Sequence, residues 1–318
     1  MFGKITEYLS TLQGITMLII IAASLLFVLL ERLIPYHKGQ KIIREGFFND
    51  FVLYTVLQSY VLGLIIFAFL NYLKIHTGLY RYSILSSMPI WFQLVILLVF
   101  HDFYIYWFHR WMHHNKYLWR LHEAHHSTQA VDWLSGSRSH ALEILINQTV
   151  EFAPIILLGA SPEVAILKGT ISAIWGMFIH CNIDVRLGKL QYIINGPEMH
   201  RWHHSDDGGR EFQSNYATKF AFWDWIFGTG FFPNPDERKP KFYGLSDTPD
   251  YPLRYTNRLF EKYKKKERKG IAAFFGGIII VIESLFINIW QYILQQIAMV
   301  RKYKYEKTYL IKDYTKHD

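Results

Sequence analysis

The sequence predicts an all-α membrane protein: a multi-span helix bundle whose histidine-rich segments lie past the span ends, on the cytosolic side. Three observations carry this. Apolar residues come in long blocks, with hydrophobic residues at 51 % and aromatics at 17 % of 318 residues. Histidines recur at helical spacing directly after such a block. The basic residues of the loops are unevenly shared.

Thr11 to Leu30 is twenty residues without a charge, and Phe51 to Leu73 is twenty-three. A helix needs roughly 20 such residues to cross a hydrocarbon core about 30 Å thick, so spans are expected at 11–31 and 50–73. The first lacks a basic leader beyond Lys4 and a small-residue cleavage site, and is read as a span rather than a cleavable signal. A third span is expected at 89–110. It begins as "PIWFQLVILLVF" and then carries His101, Asp102, His109 and Arg110, which are costly in lipid and belong against protein or water. Its end is therefore expected to leave the membrane as a stalk. Residues 144–181, interrupted by Pro154, Gly159 and Pro162, fit two short membrane helices joined near "GASPE". The block 271–300 is apolar at first, then carries Glu283, Asn288, Gln291, Gln295 and Gln296, as an interfacial helix would.

Loop charges orient the bundle. Residues 31–50 hold Arg32, Lys38, Lys41 and Arg44, whereas the N-terminal tail has only Lys4 and the next loop Lys74 and Arg81. This puts the histidine region after the third span in the cytosol. The formal charge of +8 is concentrated near the C-terminus, with seven Lys or Arg among the twelve residues from Arg258 to Lys269 and a further tail from Arg301. In a chain with membrane spans, such clusters are read as contacts with anionic lipid headgroups; no nucleic-acid-binding pattern accompanies them. Three regions are expected: 1–48, an N-terminal membrane helix and basic loop; 49–230, the domain with the histidines; and 231–318, a Pro-rich loop, the basic segment and the last apolar helix.

Seven of the 15 histidines fall between His101 and His126. His109 and His113 are spaced i, i+4. "HEAHH" contributes His122, His125 and His126, and "HRWHH" contributes His200, His203 and His204. Residues i, i+3 and i+4 lie close on a helix surface, so each triplet should project three imidazoles into one region. His180, in "FIHCN", could add another. Eight or nine imidazoles exceed the three or four of one zinc site, which points to two metals, and imidazole suits zinc, copper, iron and nickel alike. The one cysteine, Cys181, excludes a cysteine-held iron–sulfur cluster. "HEAHH" also matches the H-E-x-x-H of zinc proteases, with Glu123 as base. The second triplet has Arg201 at the glutamate's place, so the shared feature is the histidine triad. A non-redox membrane zinc protein, an HExxH-like hydrolase or a metal-binding structural protein, stands as the rival reading. His101 lies too deep and His114 points about 100° away from His113, so neither is counted as a ligand. His37, His76 and His317 are read as structural.

With "HDFYIYWFHRWMHH", "LHEAHHST", "IHCN", "PEMHRWHHS" and "NYATKFAFWDWIFGT" in this order, the stretch from Asn49 to Thr229 resembles the fatty acid hydroxylase / sterol desaturase superfamily of integral-membrane di-iron oxygenases. The resemblance implies a membrane helix bundle with a cytosolic helical cap carrying the histidine boxes. It implies two iron ions, replaceable by zinc on purification, held by His109, His113, His122, His125, His126, His180, His200, His203 and His204. The implied activity is O2-dependent hydroxylation or desaturation of a lipid or sterol at an unactivated C–H bond. Two departures stand out: "RSHALE" has Ala141 where many members have proline, and Ala217 follows Asn215 and Tyr216 where many have glycine.

Asp102, Glu123, His140, Asn182 and Asp224 are candidates to orient the ligands, and Trp107, Trp175 and Phe178 to line a lipid path from the bilayer. No dinucleotide-binding glycine motif or heme-attachment motif occurs. Electrons are thus expected from a separate donor, a cytochrome, ferredoxin or reductase, or from an external pterin. The expected location is multi-pass in a bacterial inner membrane, or in the endoplasmic reticulum of a eukaryote.

Overall fold

A computed structural model describes residues 2–206, 213–233, 239–240, 242–245 and 293. Among these the chain is helical without named strands. The basic cluster 258–269, the tail from Arg301 and, but for Ile293, the block 271–300 lie outside the described residues.

Among the described residues four helices are long and apolar enough to cross a membrane, which marks this as a membrane protein. After the short α1 (Phe2–Leu9), α2 runs Leu12–Leu33, capped by Thr11, whose side chain accepts from Gly14 N. Its buried last-turn Glu31 accepts from Trp133 N at 2.8 Å and Asn182 N at 2.9 Å, tying the span to two loops near the histidines. The second span is one helix of two textures. Asn49–Gln58 is π-helical and passes into α3, Ser59–Thr77, which Gly78 ends at φ 65°. The wider turn keeps Asn49, Asp50, Leu53, Tyr54 and Gln58 buried, where the apolar pattern alone predicts a regular helix.

Helix α4 (Ile90–His114) is a single 25-residue rod that carries His109 and His113 on its last two turns. Asp102, in its middle, accepts from Thr218 Oγ1, Lys219 N and Phe220 N at 2.7–2.9 Å and so pins a later segment to the span. Helix α5 (Trp119–His126) follows a short turn. The apolar stretch expected to hold two short membrane helices forms α6 (Ala141–Leu157) and α7 (Pro162–His180), with Pro162 at the start of α7, where a missing N–H costs nothing. Two short helices, α8 (Pro197–His203) and α9 (Phe222–Ile226), complete the described elements.

In the bundle α2 lies on α7, with Phe27 and Phe178 rings 6.3 Å apart, and Leu62, Ile66 and Leu70 of α3 pack into α6. In lipid these contacts hold through close packing and interhelical hydrogen bonds rather than through water exclusion. Gln93 on α4 supplies one such bond, accepting from Ser161 N at 2.8 Å. The outer faces expose Leu25, Leu29, Tyr60, Phe67 and Trp91, each more than half exposed, as suits contact with lipid.

Candidate metal centre

All nine histidines singled out above lie together at one end of the bundle, buried, in two groups. His109, His113, His122, His126 and His203 form one; His125, His180, His200 and His204 form the other. Within each group the ligand nitrogens lie within 4.8 Å of one another. The grouping does not follow the sequence triplets. Helix α5 gives His122 and His126 to the first group and His125 to the second; α8 and its end give His203 to the first and His200 and His204 to the second. Successive helical residues differ by about 100°, so α5 and α8 stand between the groups and serve both.

The ring tautomers follow from the outer hydrogen bonds. His109 Nδ1 meets Tyr216 O at 2.7 Å, His125 Nδ1 meets Arg138 O at 3.0 Å, His180 Nδ1 meets Gly176 O at 2.7 Å, and His203 Nδ1 meets Ser214 O at 2.7 Å. A carbonyl oxygen only accepts, so each Nδ1 carries the proton and donates. Each Nε2 then presents a bare lone pair. His122 Nδ1 likewise faces Glu143 Oε1 at 3.1 Å, and its Nε2 stands 2.8 Å from that of His109. In the second group the Nε2 atoms of His125 and His180 are 3.2 Å apart, and those of His180 and His200 2.9 Å.

Two bare lone pairs at such distances repel unless a cation lies between them. Protonation does not supply it, because burial lowers His125 to about 4 and His122 to about 3. Burial, followed by neighbouring imidazoles, also holds His126, His200, His203 and His204 well below the usual histidine range. Nitrogens sharing a metal at about 2.1 Å would sit about 3.0 Å apart at right angles. The donor set fits metal ions, one in each group.

The candidate orienting residues act at one remove. Asp224 accepts from Tyr216 N, Ala217 N and Thr229 Oγ1 at 2.8–2.9 Å, so it fixes the stretch of backbone whose carbonyl receives His109. Asn182 Oδ1 accepts from the buried Arg201 and from His37 N, each at 2.9 Å. Asp102 pins 218–220, as above. His140 caps α6, its Nδ1 accepting from Leu142 N at 3.1 Å, and lies in neither group. Glu123 is buried beside His122 and pushed up to about 7 by that burial. The carboxylate that reaches a ligand ring is instead Glu143, which sequence reasoning passes over although it closes the "RSHALE" motif.

Both departures are accommodated. Ala141 is the first residue of α6, a position that takes proline or alanine equally well. Ala217 lies outside the left-handed region; the positive φ in this stretch belongs to Asn215, at 56°. Gly136 has a firmer reason, since a Cβ there would lie 2.6 Å from His180 Nδ1.

A cavity of about 200 Å³ touches both groups, reaching His109, His122, His125, His180 and His200. Ile105, Phe108, Met112, Trp175 and Ile179 give it an apolar wall. Of the aromatics expected on the lipid path only Trp175 lines it. Trp107 packs against Phe227 at 4.8 Å and Phe178 against Phe27, so both belong to packing.

No solved structure matches this chain. Among curated relatives, the ornithine lipid hydroxylase OlsE of Rhizobium tropici is 33 % identical over 58 % of this chain and 55 % of its own length. Human alkylglycerol monooxygenase is 33 % identical over 40 % of this chain and 28 % of its own, and rat methylsterol monooxygenase 1 is 34 % identical over 45 % and 50 %. The chain thus spans about half the length, or less, of these relatives. Residues 94–229, which hold all nine clustered histidines, match the fatty acid hydroxylase family, so this stretch of the chain carries a fatty acid hydroxylase domain.

Proposed function

We propose that this protein is a membrane-bound, O2-dependent di-iron oxidase that hydroxylates, or desaturates, an unactivated C–H bond of a lipid or sterol. The observation that supports it is the pair of imidazole groups, five and four, opening on one largely apolar cavity beside the membrane helices. His109, His113, His122, His126 and His203 would hold one iron; His125, His180, His200 and His204 would hold the other. Bound and reduced there, the irons supply the O2 activation that removes hydrogen from an unreactive carbon.

The chain's residues do the positioning. Main-chain carbonyls orient His109, His125, His180 and His203, and Glu143 orients His122, so five of the nine rings have their direction set before any ion binds. Ile105, Phe108, Met112 and Trp175 give an alkyl chain an apolar wall near the histidines and keep water away. A cluster of five imidazoles exceeds the three protein ligands that an HExxH hydrolase uses beside its glutamate base. Electrons come from a separate donor on the cytosolic side, where loop charges put the histidine face. The basic C-terminal segment serves as a contact for anionic headgroups.

Metal analysis of protein produced with ample iron should find about two metals per chain; far fewer would sink the reading. Zinc in the purified sample would reflect the same donor set. Incubation of membranes under 18O2 should place label in a hydroxylated lipid, and an unlabelled new double bond would mark desaturation.

A further inference from the structure

The cavity beside the histidine groups has a second, polar end. His101 lies two turns before His109 on α4, about 12 Å along the axis, and lines the cavity while 5 % exposed. Neither ring nitrogen completes a hydrogen bond of good geometry; the acceptors nearest the ring are Glu151 Oε1, 3.5 Å from Nδ1, and the main-chain carbonyl of Asn147. Lys219 reaches the same wall from the segment pinned by Asp102 and is 8 % exposed. Its backbone N–H is used by Asp102, while its ammonium forms no ion pair within 4.0 Å among the described residues. Asn147 joins them from α6, its Oδ1 accepting from Tyr104 Oη at 3.2 Å, which leaves its amide N–H groups for the cavity.

The acceptors nearby are already engaged. Glu151 Oε1 receives Lys168 Nζ at 2.5 Å and Ser172 Oγ at 3.0 Å, and its one negative charge is shared among Lys168, His101 and Lys219. Glu143 lies at the histidine end, against His122. What remains on the polar wall is an ammonium, an amide and an imidazole, all able to donate. Buried donors without partners are costly, and charge-assisted bonds to an anionic oxygen are the strong way to satisfy them.

We propose that Lys219, Asn147 and His101 form a subsite for an anionic oxygen, a carboxylate or a phosphate, at the polar end of an acyl substrate whose chain extends toward the histidine groups. The subsite rests on the oxygenase reading for its role in catalysis, but its binding chemistry can be tested without metal. An anchored anion would set the oxidised carbon several bonds away, because the two ends are separated by roughly two helical turns.

The test is native mass spectrometry of the metal-free full chain released from detergent, with dodecanoate, dodecyl phosphate and dodecanol as probes. The wild type should retain at least one anion about tenfold more tightly than dodecanol, and which anion it retains separates a fatty acid from a phosphate-bearing lipid. Lys219→Met should remove that preference and leave dodecanol unchanged, and Lys219→Arg should restore it. Equal retention of all three probes by the wild type, or an undiminished preference in Lys219→Met, overturns the subsite. Metal content is read on the same preparations after loading. Two metals with no anion preference leaves the oxygenase reading standing and removes the subsite; anion preference without metal uptake does the reverse. Should Lys219→Met also lose metal uptake, Asn147→Leu, on another helix, decides by the same comparison.

Discussion

His125 and His180 face each other through Nε2 atoms 3.2 Å apart, while each commits its Nδ1 proton to a main-chain carbonyl, of Arg138 and Gly176 respectively. This geometry is favourable only around a cation. Removing His180 should therefore empty one group and spare the other. We expect His180→Ala to fall from about two metals per chain to about one, as read by elemental analysis; loss of none would contradict the assignment of His180 to the four-histidine group.

Glu143 stands 3.1 Å from His122 Nδ1 and would act through that ring on a metal held by the five-histidine group. Partners of this kind are worth about 10–100-fold in metal affinity. Glu143→Ala should release metal to a competing chelator with an affinity lower by that factor, while Glu143→Gln, which keeps an acceptor oxygen, should recover much of it. An unchanged chelator titration in Glu143→Ala would remove this role.

The clustered histidines make the metal-free protein sensitive to acid. His125 is lowered to about 4 and His122 to about 3 by burial, from an ordinary value of 6.5. The unfolded chain takes up protons first, so their contribution is complete above pH 6.5 and is lost as pH falls towards 4 and then 3. His126, His200, His203 and His204, also lowered, act in the same sense. The carboxyls of Glu123 and Asp224, pushed up to about 7 by burial, of Glu143, pushed up to about 8, and of Glu198, also raised by burial, oppose this but are fewer than the six histidines. The Tm of metal-free protein should drop between pH 6.5 and 4; a flat profile would count against buried neutral rings.

Gly136 passes so close to His180 that a methyl group has no room: its Cβ would lie 2.6 Å from Nδ1. His180 would have to turn and lose its bond to Gly176 O. Gly136→Ala should keep the helical circular dichroism of the wild type yet bind fewer than two metals. Full metal content in this variant would show that the loop moves instead.

Much of this architecture is legible in the sequence, for physical reasons. A bilayer demands about 20 apolar residues per helix, so the blocks at Thr11 and Phe51 announce themselves, and the histidine spacing marks the residues that gather. The division of each triplet between two groups is not legible, because it depends on which side of α5 and α8 each partner lies. The main-chain carbonyls of Arg138, Gly176, Ser214 and Tyr216 have no sequence signature at all. Asp102 and Asp224 are legible as acids near a site; that they hold backbone at 215–220 rather than a ring emerges only from the fold.

Each histidine group draws on residues that precede and follow the α6–α7 pair, since His109 and His203 share one group and His125 and His204 the other. A nascent chain therefore possesses no complete ligand set until its fourth long apolar helix has entered the bilayer and the segment to His204 has folded back. On the proposed di-metal reading, insertion would therefore precede metallation, and the metal-free, fully inserted protein would be a stage of its assembly.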